Sequence, residues 1–133
     1  MKLHVDAVDA VFYPDVMATC DARDKTPEAD LAKQHPVLIV EVLSESTSAY
    51  DRGLKFEHYR NIDTLKEYLL VEQDRRHADL FLREEDAAGK PRWVLYASGV
   101  ADDVELDSVG VRLSMDTLFE DVVFETPAPT SAA

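Results

Sequence analysis

The chain has 133 residues, with 14 Lys or Arg against 27 Asp or Glu and a formal charge of −13. At this length one domain can bury most of its apolar surface without disulfides or a structural metal, and the single cysteine, Cys20, has no intramolecular partner. No apolar run nears the roughly 18 to 20 residues that cross a bilayer, and residues 1–20 carry no basic-then-apolar leader, so a cytoplasmic protein with no membrane partner is expected.

Residues 2–6 alternate polar and apolar as a half-buried strand does, and a turn over residues 6–10 leads to a second strand over residues 11–18. Pro14 removes a ladder donor from that strand, which places it at a start, an edge or a bulge. The polar stretch 21–34 is a loop, with a helical turn after Pro27. Residues 36–43 are apolar on both alternations and rich in β-branched side chains, which predicts a central strand covered on both faces. Ser48-Ala49-Tyr50-Asp51 opens a helix that runs through Leu54, His58 and Tyr59 and stops near Asn61. A strand over 68–71, a turn over 73–76 and a hairpin of strands 78–83 and 92–97 around residues 86–89 follow. A short strand at 104–106 and a last helix from 114 to 122 complete the order. Residues 1–125 therefore read as a single α/β domain, and residues 126–133, built of Thr, Ser, Ala and Pro, as a disordered C-terminal tail.

The charge is uneven. Residues 1–50 hold four basic and nine acidic side chains, residues 51–76 six and six, and residues 77–133 four and twelve. Phosphate binding needs clustered Lys and Arg, so a chain this acidic does not grip nucleic acid over its whole surface. The neutral middle block is where a polyanion is tolerated.

Glu41 is the least expected residue, because an unpaired carboxylate in a dry interior costs several kcal/mol or neutralises itself, and this one interrupts the most apolar strand. It is either a metal ligand or catalytic carboxylate at a sheet opening, or a strand-end Glu that reaches solvent or an Arg. Asp15, after Pro14, is aimed into a cleft by an irregular strand point or is a turn-proximal Asp. Lys55 lies four residues after Asp51 on one helix face, which by itself describes an exposed ion pair worth a few tenths of a kcal/mol. Gly53 is unusual so early in a helix and permits close approach of another backbone or a ligand. Two carboxylates on neighbouring strands suit a hard cation such as Mg²⁺, and a nearby ammonium can orient a water and offset developing charge in phosphodiester hydrolysis.

Other features read blandly. His4, His35, His58 and His77 lack zinc spacing, and no phosphate-loop or nucleophile-elbow motif occurs. Ser44 and Ser46 read as capping residues, Trp93 and Tyr96 as hairpin packing, and Arg75-Arg76 as a solvated turn with a phosphate contact as the alternative.

Tyr13-Pro14-Asp15-Val16, Val40-Glu41-Val42-Leu43-Ser44 with Ser46-Thr47, Asp51-Arg52-Gly53-x-Lys55 with Tyr59, and Glu67-Tyr68-Leu69-Leu70-Val71 occur in that order over residues 11–83. This combination resembles the Uma-two family of restriction-endonuclease-like proteins, within the PD-(D/E)XK nuclease superfamily. The resemblance implies a restriction-endonuclease-like mixed β-sheet flanked by helices, with a C-terminal β-hairpin and short helix. It also implies a Mg²⁺-dependent (or Mn²⁺-dependent) nuclease acting on DNA, with Asp15, Glu41 and Lys55 as the catalytic set. Asp15, Glu41 and the Val42 backbone carbonyl would be the metal ligands. The superfamily's acid-x-Lys motif would put its lysine at position 43, where this chain has Leu43, so the resemblance implies a migrated lysine at 55. Family members usually carry a helix ahead of the Pro-Asp strand; only residues 1–10 precede that strand here, so a chain without this helix is expected. The family also commonly has Pro where this chain has Glu45.

Two competing readings come from other classes. One is a catalytically inactive, truncated nuclease-fold interaction module, with a homodimer among its forms and an exposed strand edge to mediate it. The other makes Asp15 and Glu41 the acid–base pair of a glycoside hydrolase, which the scarcity of aromatics near either carboxylate disfavours.

Overall fold

A computed structural model describes residues 2–27, 32–99 and 102–120. Its centre is a five-stranded sheet in the order β3-β4-β5-β6-β7, formed by Val16–Thr19, Pro36–Leu43, Glu67–Glu72, Ala78–Glu85 and Pro91–Ser98. Only β4 and β5 run parallel; the other neighbours are antiparallel. The crossover between that parallel pair carries helices α1 (Ser48–Arg52) and α2 (Leu54–Tyr59). Two small hairpins complete the described chain: β1 (Leu3–Val5) with β2 (Ala10–Phe12), and β8 (Asp103–Leu106) with β9 (Val111–Ser114), the latter followed by α3 (Met115–Leu118).

The double alternation of β4 has the expected cause. Ile39 and Leu43 face one apolar layer with Tyr68, Leu70, Phe56, Tyr59 and the first hairpin's Leu3, Val5 and Phe12. Leu38 faces the other, with Leu69, Val71, Leu80 and the second hairpin's Val104 and Leu106, closed by Met115 and Phe119 of the last helical turn. A parallel pair covered on both faces is the arrangement that continuous apolar runs specify. Stacked and edge-on rings lock α2 to the sheet, with Phe56 5.0 Å from Tyr68, 4.6 Å from Phe81 and 5.3 Å from Trp93.

Several elements depart from the sequence expectation. The expected strand over 11–18 is two strands in different sheets, parted at Tyr13-Pro14-Asp15, because Pro14 cannot donate to a ladder and its fixed φ suits a bend. The expected single helix from Ser48 is broken at Gly53, whose φ of −102° and ψ of −98° are not helical. A side chain there would meet the Ala49 carbonyl oxygen at 3.0 Å, so the close backbone approach expected of this glycine is made within its own helix. A one-turn helix, not read from the sequence, falls at Ala22–Lys25, and the residues after Pro27, where a helical turn is expected, lie outside the described residues. β9 is an element the sequence pattern does not announce, and α3 ends at Leu118. The signal for β9 was local: Gly110, at φ 66°, supplies the left-handed residue that turns β8 back on itself. The tail expected at 126–133 lies outside the described residues. Among those described, no helix is long and apolar enough to cross a membrane.

Two buried carboxylates hold the periphery. Asp24 accepts from the Gln34 and His35 amides at 2.9 Å each and from Thr19 Oγ1 at 2.7 Å, tying the loop to the start of β4. Glu67, 1% exposed at the start of β5, accepts from the Ser108 amide at 2.8 Å and the Asp107 amide at 3.2 Å. It fastens the second hairpin to the sheet. Glu67→Leu strands two buried donors and should cost about 2–4 kcal/mol in urea unfolding, whereas removing the exposed Arg112 pair should change stability by less than about 0.5 kcal/mol. Equal effects of the two substitutions would contradict this account.

Candidate active site

Ligands in open α/β sheets gather beyond the carboxyl ends of parallel strands. The ordered motifs converge at that end of β4. The β3–β4 ladder runs only as far as Val16 opposite Val40, and beyond it Asp15 takes over: its Oδ2 accepts the Val42 amide proton at 2.7 Å. A side-chain carboxylate thus replaces the missing backbone partner, and this is what fixes an otherwise exposed Asp15 beside β4. In an extended strand a residue's N–H and C=O face the same edge, so the Val42 carbonyl opens toward Asp15 as well.

Glu41 points to the helix side of the sheet and is 3% exposed. Its Oε2 accepts from Lys55 Nζ at 2.7 Å, while its Oε1 is buried without a hydrogen-bond partner among the described residues. Lys55 Nζ also lies 2.7 Å from Asp51 Oδ1, as an ion pair off the hydrogen-bond direction, and 5.4 Å from the Tyr50 ring centre. The ammonium therefore does reach β4 from α2, at Glu41. Asp51 is not the exposed helix residue that its spacing suggested; it is 2% exposed, and its carbonyl accepts from Tyr68 Oη at 2.9 Å.

Burial pushes the Glu41 carboxyl up; the Lys55 hydrogen bond and charge oppose this, and the Asp15 and Asp51 charges reinforce it, leaving it above the ordinary carboxylate range. Burial alone would lower the Lys55 ammonium, but Asp51 and Glu41 outweigh it and hold it above the usual lysine value. Tyr59 Oη is buried without a hydrogen-bond partner among the described residues, and burial with the Glu41 and Asp51 charges raises it strongly.

A second ionic group lies in the same row of the sheet. Glu41 is opposite Leu70 and Leu70 opposite Asp79, so the two acids stand two strands apart on one face. Arg52, next to Asp51 on α1, reaches Asp79 at 2.6 Å and Glu72 at 3.5 Å. Glu72, His77 and Asp79 bring ligand atoms within 4.8 Å of one another, yet Arg52 and Arg75 already occupy both carboxylates. This group is an ion-pair network that anchors α1. Asp79 carries the same sequence signal as Glu41, an acid inside an apolar strand. Ser44, Ser46 and Thr47 bond one another's hydroxyls as a turn, and Arg75 and Arg76 are engaged with Glu72 and Asp116.

The fold is shared with a solved structure. The crystal structure of "a putative nuclease belonging to DUF820" from Anabaena variabilis ATCC 29413 superposes with a TM-score of 0.61 over 86% of this chain and 63% of that one, at 15% identity. The chain belongs to the Uma2 family, described as "putative restriction endonuclease", whose model matches residues 1–115. It is 37% identical over 124 residues to "uncharacterized protein slr1290" of Synechocystis sp. (strain ATCC 27184 / PCC 6803 / Kazusa), covering 93% of this chain and 62% of that protein. It is 41% identical over 73 residues to "uncharacterized protein sll1609" of the same organism, covering 55% of this chain and 41% of that one. The chain thus spans less than two thirds of the length of these curated relatives.

Because the folded Glu41 pKa lies above its ordinary value of 4.5, the folded state binds its proton more readily than the unfolded one. Stability from this group is complete below pH 4.5 and is lost as pH rises through the folded value. Glu41→Gln should therefore gain stability relative to the unsubstituted protein between pH 4.5 and pH 7 in EDTA, as read by urea unfolding. A difference that stays flat, or moves the other way, contradicts the burial-dominated account.

Proposed function

We propose that this chain is a metal-dependent nuclease that hydrolyses DNA phosphodiester bonds. The observation that carries the reading is the unpartnered, buried Glu41 Oε1 beside two further carboxylates. Asp15, Glu41 and Asp51 bring three negative charges against the single Lys55 ammonium, and the deficit of two is the charge of one divalent cation. An oxygen-only donor set of this kind suits Mg²⁺ or Mn²⁺ rather than a soft metal. Asp15 and Glu41 would hold the ion, with the Val42 carbonyl as a third oxygen. Bound there, the ion supplies Lewis acidity and lowers the pKa of a coordinated water.

The chain's own residues provide the rest. Lys55 presents a compact positive charge beside the carboxylates, able to orient a water and to offset charge that develops on a phosphoryl oxygen. Asp15 is exposed at the strand end and Glu41 is sunk beneath α1 and α2, so the ion would sit at the boundary between solvent and core. The neutral block at residues 51–76 flanks this position and is where a phosphodiester backbone meets least repulsion. Membership of the Uma2 family and the shared nuclease fold support DNA as the substrate class.

Incubation of supercoiled and linear DNA with Mg²⁺ or Mn²⁺ tests this directly. EDTA should abolish cleavage, and Asp15→Asn, Glu41→Gln and Lys55→Ala should each lower it by about 100-fold or more, the scale on which one charge-stabilising group acts. Lys55→Arg should restore only part of the rate, because a planar guanidinium does not replace a point charge. Undiminished cleavage in all three loss variants would remove the assignment. A folded chain with no cleavage and no metal-dependent stabilisation would instead favour the inactive interaction module.

A further inference from the structure

Asp51 is a buried carboxylate that is not among the proposed metal ligands. It is as deeply enclosed as Glu41, at 2% against 3% exposure, and Lys55 Nζ lies 2.7 Å from both. Its backbone is pinned at both ends: its amide donates to the Thr47 carbonyl at 2.8 Å, and its carbonyl accepts from Tyr68 Oη at 2.9 Å. Asp51 is therefore a fixed seat. Glu41, on the central strand, is another.

Between them stands a side chain suited to move. Lysine carries three donors on a flexible four-carbon stem, so its ammonium can pass from one carboxylate to another without any shift of backbone. In this structure that ammonium holds Glu41 Oε2, so a cation that takes both oxygens of Glu41 must displace it. Freeing Glu41 without a substitute anion would leave Lys55, only 16% exposed, as an uncompensated buried charge. Asp51 removes that obstacle.

We propose that Lys55 is a resident counter-cation with two seats: shared between Glu41 and Asp51 in this structure, it withdraws to Asp51 when both oxygens of Glu41 are given over to a divalent cation. Asp51 is then a positioning residue, which makes Glu41 available and keeps the ammonium beside the site. This rests on the reading of Glu41 as a metal ligand. It goes beyond that reading in assigning Asp51 a role through Lys55, in addition to the charge that Asp51 adds to the site.

Mn²⁺ binding by calorimetry separates the possibilities, using the full chain, Asp51→Asn, Lys55→Gln, the double variant and Glu41→Gln, each checked for folding by circular dichroism. Asp51→Asn should weaken Mn²⁺ binding by about 10-fold or more, the range for groups that orient a ligand from behind. Lys55→Gln should tighten it. In the Lys55→Gln background, Asp51→Asn should weaken it by a smaller factor, because the two residues form one coupled unit. The same loss in both backgrounds would overturn the proposal, since Asp51 would then act as a ligand or by charge alone. Binding that is absent in the unsubstituted chain, or indifferent to Glu41→Gln, would instead defeat the metal-site reading and take this proposal with it.

Should Lys55→Gln fail to fold, the unsubstituted chain answers by NMR. On Mg²⁺ saturation, the through-hydrogen-bond coupling from Lys55 Nζ to the Glu41 carboxyl carbon should disappear while that to Asp51 is present. Retention of the Glu41 coupling would overturn the two-seat assignment.

Discussion

Everything distinctive about this molecule turns on placing two carboxylates beneath a helix and answering them with one lysine. Glu41 and Asp51 are almost fully enclosed, and Lys55 is the only cation found within 4 Å of either among the described residues. Buried ion pairs contribute little net stability, since desolvation offsets most of the attraction, but they are severe about geometry. That severity reaches outward. The helix carrying Asp51 is held by Tyr68 and by the Arg52–Asp79 pair, and the following helix, carrying Lys55, is held by the aromatic stack of Phe56, Tyr68, Phe81 and Trp93. An excess of buried negative charge is what an ordinary core would avoid, and it is the physical reason for reading this region as a site.

The fold was legible wherever one physical signal dominated. Residues 36–43, apolar on both alternations, form β4 with the same bounds, and the hairpin of β6 and β7 follows its turn chemistry. Legibility failed where a single residue outweighed a periodic pattern. Pro14 cuts a run that looked like one strand, and Gly53 cuts one that looked like one helix. β9 was hidden because four residues carry too little period to register, although the Gly110 turn before it did mark a reversal.

The site divides along the same line. Glu41 was conspicuous because it violates an apolar strand, and the structure buries it with Lys55 as the ordered motifs implied. Asp51 was invisible as a buried group: i,i+4 spacing shows that two side chains share a helix face, not which way that face is turned. The direction is decided by Tyr68, 17 positions away on another strand, and no local pattern encodes it. Asp15 lay between these cases. Its Pro-Asp context signalled an irregular strand point, but its bond to the Val42 amide depends on where the β3 ladder stops.

The break at Gly53 has an energetic consequence. It leaves α1 with five residues and α2 with six, each far below the roughly 12 to 15 at which a helix persists in water on its own. Their helicity is borrowed from the sheet beneath. The lysine and its two carboxylates are therefore not features of a preformed helix that docks onto a strand; they come into register only as the core closes. The charge constellation is in that sense a late product of folding, assembled and dismantled together with the packing that encloses it.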